Sequence, residues 1–198
     1  LIEAGINIVG FIDDNDKVFG SEIIGIPVLG KYKDLFSSKL KNEISDVFCP
    51  IGDNEIRQEY LSTLKKEGYN IPSFFHHTVS VGPDVTLGEA NYMLAGNIIM
   101  PHTSIGNYLM VKMGTTIGHH VSIGNGVFMS SGVNLGANLR VKDKAYIGIG
   151  ATIIPGPKVT EIGEKSFIGA GSVIFKNVPD YSTVVGNPAR IIKTNTPW

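Results

Sequence analysis

Residues 111–136 read VKMGTTIGHHVSIGNGVFMSSGVNLG, and the spacing inside this stretch decides the fold. An aliphatic residue or methionine returns at every sixth position, as Val111, Ile117, Ile123, Met129 and Leu135, and glycine follows three of the five. Working outward, the frame extends down through Ile105, Ile99, Met93 and Leu87 to Val81. It extends up through Val141, Ile147 and Ile153 to Val159, giving 14 positions across 79 residues. With about a third of residues of this kind in an average chain, such a run arises by chance about once in several million trials. The frame then slips by three residues and resumes at Ile162, Ile168 and Ile174, so a bulge or added corner is expected around Pro155–Thr160.

A period of six matches neither the 3.6 of a helix nor the alternation of a flat sheet. It matches a prism-shaped parallel β-helix in which each hexapeptide is one short strand plus one corner. The aliphatic residue points inward, and a small residue lets the chain turn. Three faces close one coil, so the chain returns to the same place, one layer up, after 18 residues. The composition agrees: 24 glycines, 10 prolines and only 18% charged residues do not describe a helical protein. Seventeen basic against 18 acidic residues give a net charge of −1, which offers no electrostatic footprint for nucleic acid or an acidic membrane surface. No apolar run reaches the length of a membrane helix. The single Cys49 excludes an internal disulfide framework and a four-cysteine zinc site. No signal peptide is evident, so a cytoplasmic location is expected.

Residues 1–71 read differently from 72–198. Ile6–Asp14 is an apolar run ending in paired acids, Gly25–Gly30 a short segment closed by glycine, Tyr32–Asn42 an amphipathic helix, Asp46–Gly52 a second buried strand, and Asn54 to Glu67 a helix. Strands alternating with helices predict a small Rossmann-like α/β domain, ending at Ile71-Pro72. Asp13 and Asp14 close a strand at its carboxyl end, where ligands of open α/β sheets gather. Gly52-Asp53-Asn54 leads into a helix N-terminus, suited to an anion or ribose, or simply to capping.

The hexad segment resembles the hexapeptide-repeat acyltransferases. GFIDDN, GIPVLG and IGDNEIR followed by such a coil narrow the resemblance to bacterial N-acetyltransferases of nucleotide-linked amino sugars and their sialic-acid O-acetyltransferase relatives. The resemblance implies a mainly β protein with a left-handed parallel β-helix, a homotrimer with sites between adjacent coils, acetyl-CoA as co-substrate, and a nucleotide-sugar-binding N-terminal domain. Members begin with an earlier strand and a glycine-rich turn; neither precedes Leu1, and a preceding segment is expected.

Acetyl transfer to an amine needs a general base and oxyanion donors. In the family the base is a histidine followed by an acid and, shortly after, Ile-Gly. Here Ile117-Gly118-His119-His120-Val121-Ser122-Ile123-Gly124 makes His119 the base and puts His120 where the acid stands. One layer above His119 is Ala137, beside Gly136, and the resemblance implies a backbone N–H of that stretch as the oxyanion donor; one layer below His120 is His102. The resemblance further implies that the pantetheine arm of acetyl-CoA passes Ala137, Ile149 and Ala170, and that Lys176 and Arg190, the latter in Val185-Gly186-Asn187-Pro188-Ala189-Arg190, meet the CoA phosphates. The substrate side takes Asp13, Asp14, Gly52, Asp53, Asn54 and Lys112. Lys112 and Phe128 occupy places where the family often has asparagine and histidine. The histidines also evoke the coil-shaped carbonic anhydrases, but none of the five has their His-x4-His spacing, and no metal is expected. Two other readings remain: O-acetylation of a sugar hydroxyl, and a coil with altered catalytic positions that acts as a binding trimer.

Overall fold

The computed structural model describes residues 1–194, so residues 195–198 of the expected 72–198 domain lie outside the described residues. The chain divides into two compact units. One is Leu1–Phe48 with Ser62–Pro72; the other is Cys49–Leu61 with the chain from Ser73 onward. The expected boundary at 71–72 differs from this division by the segment 49–61, which packs with the coil.

The coil is a left-handed parallel β-helix. Its strands form three parallel ladders. The first runs from Ser80–Val81 to Val173–Ile174, the second from Thr86–Leu87 to Thr160–Ile162, and the third from Phe74–Phe75 to Phe167–Ile168. Registers confirm the predicted layer of 18: Ile99 faces Ile117, Ile117 faces Leu135, and Ile123 faces Val141. The slip of three appears as Val141 opposite Ile162 and Ile153 opposite Ile174, both 21 apart. The layer then shortens, with Ile168 opposite Val184, and the coil ends in an antiparallel hairpin of Ser182–Gly186 and Ala189–Thr194.

Inward hexad residues from Met93 to Ile153 are at most 4% exposed and, with Ile162, Ile168 and Ile174, form one apolar column. Three expected core positions are not buried. Val81 and Leu87 lie in the first layer, and Val159 sits in the inserted loop, where it is 50% exposed. The repeating frame therefore ends at Ile153, one hexad earlier than its sequence pattern. Side chains also bond from layer to layer. Asn91 Oδ1 accepts from the Leu109 N–H, Asn97 Oδ1 from the Thr115 N–H, and Asp143 Oδ1 from the Asn125 N–H, each at 2.8 Å across 18 residues.

The small unit holds a three-stranded sheet in the order β1 (Phe11–Ile12), β3 (Ile26–Gly30), β2 (Glu22–Ile23), with β1 parallel and β2 antiparallel to β3. The expected helix over 32–42 divides into a 3-10 turn, Tyr32–Phe36, and α1 (Ser38–Glu43). Ser37, extended at φ −72° and ψ 145°, interrupts the run and caps α1 by accepting from the Leu40 N–H; serine favours such a cap over helix interior. The strand expected over 46–52 is absent among the described residues; only Asp46 makes a single bridge, to Asn70. α2 (Asn54–Lys66) matches the expected helix. Asp53 Oδ1 caps it from the N–H groups of Glu55 and Ile56, both at 2.9 Å, and Gly68 at φ 94° turns the chain beyond its end, a conformation glycine adopts freely.

Candidate active site

His119 and His120 stand at the corner between the first and second ladders. His119 Nδ1 and His120 Nδ1 are 3.0 Å apart, so one nitrogen donates and the other accepts. If His119 donates, its Nε2 keeps a free lone pair, the state a general base requires. His120 is at φ 57°, with His102 at 59° and Asn138 at 55° one layer below and above; His, Asp and Asn are the side chains that best tolerate this region. The ring of His102 lies 4.8 Å from that of His120, as the 18-residue period predicts.

Ala137 lies directly above His119. The Gly136 N–H is spent on the Ile153 carbonyl at 2.9 Å and the Asn138 N–H on the His119 carbonyl at 3.0 Å. Between them, the Ala137 N–H has no acceptor among the described residues. The same corner position is proline in three layers, Pro83, Pro101 and Pro155, as fits a site whose N–H takes no part in the ladder. A Cβ on Gly118 would come within 2.6 Å of the Gly136 carbonyl and 2.8 Å of the Ala137 nitrogen, so glycine is what lets the two layers approach this closely here.

The remaining expected residues divide among other places. Lys112, Ile149 and Ala170 occupy the corner between the third and first ladders, a different corner from Ala137; the Gly171 N–H bonds the Ile149 carbonyl there at 2.8 Å. The expected run of acetyl-CoA past Ala137, Ile149 and Ala170 is thus not one edge of one chain. Lys112 Nζ sits 5.8 Å from the centroid of the Phe128 ring, which stacks on Tyr146 at 4.8 Å, and Tyr146 on Phe167 at 4.8 Å. Lys176 and Arg190 come together on a cavity of about 520 Å³ at the hairpin end, with Phe175 and Pro188 in its wall.

Asp13 and Asp14 follow β1 in the small unit. Asp13 Oδ1 accepts from the Asn15 N–H at 2.8 Å and Asp14 Oδ1 from the Tyr32 N–H at 2.9 Å. Gly52, Asp53 and Asn54 belong to the coil unit and line a second cavity of about 500 Å³ with Tyr146 and Lys165. Asp53 is used as the α2 cap. Asn54 is buried and donates to the carbonyls of Lys144 and Ala145 at 3.1 and 3.3 Å. Both side chains therefore hold the helix in place, and only Gly52 of the three has no side chain committed.

Two features lay beyond the sequence reading. Arg57 is fully buried, and its guanidinium donates to the Ile51 carbonyl at 2.9 Å, the Gly126 carbonyl at 3.1 Å and Asn54 Oδ1 at 2.9 Å. Burial lowers its pKa to about 10, still well above neutrality, so it is a charged pin between segment 49–61 and the coil. The second is Asp84, whose carboxylate lies 3.5 Å from His102 Nδ1. Stepping down from His120 by 18 twice reaches it. No group of three or more ligating side chains suited to a metal exists among the described residues, and no described helix is long and apolar enough to cross a membrane.

Residues 1–64 match the family model of the PglD N-terminal domain. WeeI from Acinetobacter baumannii is 31% identical, superimposes with a TM-score of 0.85, and the match covers 92% of this chain and 85% of that one. A histidine-to-asparagine variant of perosamine N-acetyltransferase from Caulobacter crescentus, solved with CoA and GDP-perosamine, is 26% identical with a TM-score of 0.88 over 96% of this chain and 87% of that one. Among curated proteins, a serine acetyltransferase of Bacillus subtilis is 48% identical over 54 residues, 27% of this chain and 24% of that protein. The chain spans about a quarter of the length of the curated relatives it matches.

Proposed function

The chain belongs to the hexapeptide-repeat, acetyl-CoA-dependent sugar acetyltransferases, and from that premise we propose that it N-acetylates a nucleotide-linked amino sugar in bacterial surface-glycan synthesis, in the cytoplasm. The observation that carries this reading is the corner at His119, where a histidine with a neighbour-bonded Nδ1 faces a layer whose Ala137 N–H is uncommitted. The perosamine enzyme, bound to CoA and GDP-perosamine, matches nearly the whole chain, small unit included. The serine acetyltransferase matches only 54 residues. A sugar acceptor accounts for the small unit; serine does not.

In the reaction, His119 Nε2 takes a proton from the amine as its nitrogen attacks the thioester carbonyl. The developing oxyanion is met by the Ala137 N–H, a donor that needs no rearrangement. The C–S bond then breaks, and the departing thiolate recovers the proton as free CoA thiol. Lys176 and Arg190 hold the CoA phosphates, while the small unit's Asp13 and Asp14 meet the nucleotide. Lys112, Ile149 and Ala170 join the site from the neighbouring copy of a homotrimer. Two facts support that assembly: these residues sit on another corner from His119, and Ile98, Met100, Met113 and Ile149, each 43–56% exposed, flank the face between the two corners. Exposed apolar side chains on one face are what an interaction surface offers.

The test is free-thiol release from acetyl-CoA with UDP-, dTDP- and GDP-linked amino sugars, and with serine and sialic acid as controls. Release with one amino-sugar class is expected. Release only with a hydroxyl acceptor would replace N- by O-acetylation, and acetyl-CoA binding without release on any acceptor would leave the coil as a binding module.

A further inference from the structure

We infer that Asp84 is a positioning residue that supplies, through His102 and His120, the negative charge absent beside the base His119. This rests on the acetyltransferase reading above and deepens it.

Asp84, His102 and His120 are 18 residues apart and share one conformation, at φ 56°, 59° and 57°. Parallel registers of the flanking ladders, Ser80 with Ile98 with Thr116 and Thr86 with Ser104 with Ser122, stack them in consecutive layers. The contacts run in order. Asp84 Oδ2 is 3.5 Å from His102 Nδ1, the His102 and His120 ring centroids are 4.8 Å apart at 42°, and His120 Nδ1 is 3.0 Å from His119 Nδ1. The column begins at a carboxylate and ends at the candidate base.

A lone imidazole neighbour orients His119 but brings no charge to steady the imidazolium formed when His119 takes its proton. A carboxylate at the foot of the column supplies that charge: with His102 neutral, Asp84 adds one negative charge to the column and favours the proton on His119. Among the described residues no other negative charge does this. The corner's other titratable residues, Lys158 and Lys176, are of the wrong sign. The first ladder's strands carry no charged residue, and on the second ladder Arg140 and Glu161 are 3.1 Å apart and neutralise each other. Tolerance of positive φ explains the residue types one by one; it does not explain the carboxylate-to-base order.

The sign of the effect follows. Asp84 stabilises the protonated ring, so Asp84→Asn should move the titration midpoints of His102, His120 and His119 to lower pH and move the acidic limb of kcat/KM with them. Asp84 is 74% exposed, so turnover should fall only about twofold to fivefold, the scale of an exposed charge pair, with KM for acetyl-CoA unchanged. Asp84→Glu should retain most of the rate. In a His120→Glu background, where a carboxylate already touches His119, Asp84→Asn should have no further effect.

The experiment is imidazole titration by NMR on the intact protein with and without Asp84→Asn, alongside the pH profile of thiol release. A fall in the midpoint of His119 supports the column. An unchanged His119, or a shift confined to His102, overturns it, and this holds whether or not an acceptor has been found. If His119→Ala abolishes turnover while Asp84→Asn leaves profile and midpoints alone, the base assignment stands and the column falls. If His119→Ala keeps the wild-type rate, the base assignment itself is wrong.

Discussion

The coil and the small unit are stabilised on different principles. In the coil, a buried residue has a counterpart one layer away, and the same inward position is filled from Met93 to Ile174 by side chains at most 4% exposed. Backbone N–H groups and the Asn91, Asn97 and Asp143 side chains satisfy partners in the neighbouring layer. The small unit has strands of two to five residues and buries scattered side chains such as Val28, Leu35, Leu40 and Tyr69, while Phe19 and Ile24 are 59% and 74% exposed. Repetition places the coil's stability in its inward column, and the corners, where the histidines lie, are outside that column. The small unit depends on individual contacts.

That contrast can be broken at its strongest point. Ile147 is fully buried between Met129 and Ile168. Ile147→Ala should cost about 2–5 kcal/mol in unfolding, read by chemical denaturation with loss of cooperativity across the whole coil. A loss below about 1 kcal/mol would mean that the layers are not mutually dependent. The segment 49–61 sharpens the comparison. Arg57→Leu removes the donors to the Ile51 and Gly126 carbonyls and should cost about 2–4 kcal/mol, with hydrogen exchange rising first in residues 49–61 while the coil layers stay protected. Equal protection in both variants would show that the pin is dispensable. At the small end, Lys41 and Glu67 pair at 2.6 Å with both side chains about a third or more exposed. Lys41→Ala should change stability by less than about 1 kcal/mol, within the error of a melting curve.

How much was legible in the sequence follows from the same contrast. A period of six with glycine behind it is a local pattern that only one architecture repeats, and adding 18 to His119 or subtracting it from His120 found Ala137 and His102. Asp84 needed the same step taken twice. Val159 misled because its spacing continued the frame through a loop that carries it out of the core. The buried roles of Arg57 and Asn54 could not be read from 54–66, because their partners are carbonyls of Gly126, Lys144 and Ala145 some 70 to 90 residues away. The strand expected over 46–52 failed because an apolar run signals burial and not ladder pairing; Cys49 is buried, and the Tyr92 hydroxyl meets its N–H at 3.3 Å. The separation of Ala137 from Ile149 and Ala170 is a matter of corner, and hexad spacing fixes the corner only once the three ladders are assigned.

In the proposed mechanism, acetyl transfer depends on His119. The most direct measurement is the rate of thiol release from acetyl-CoA by His119→Ala against the unaltered protein, at saturating acceptor and with acetyl-CoA affinity measured separately. The account predicts a fall of at least about 100-fold, the scale of a lost general base, with affinity unchanged. A variant that turns over at the wild-type rate would contradict it.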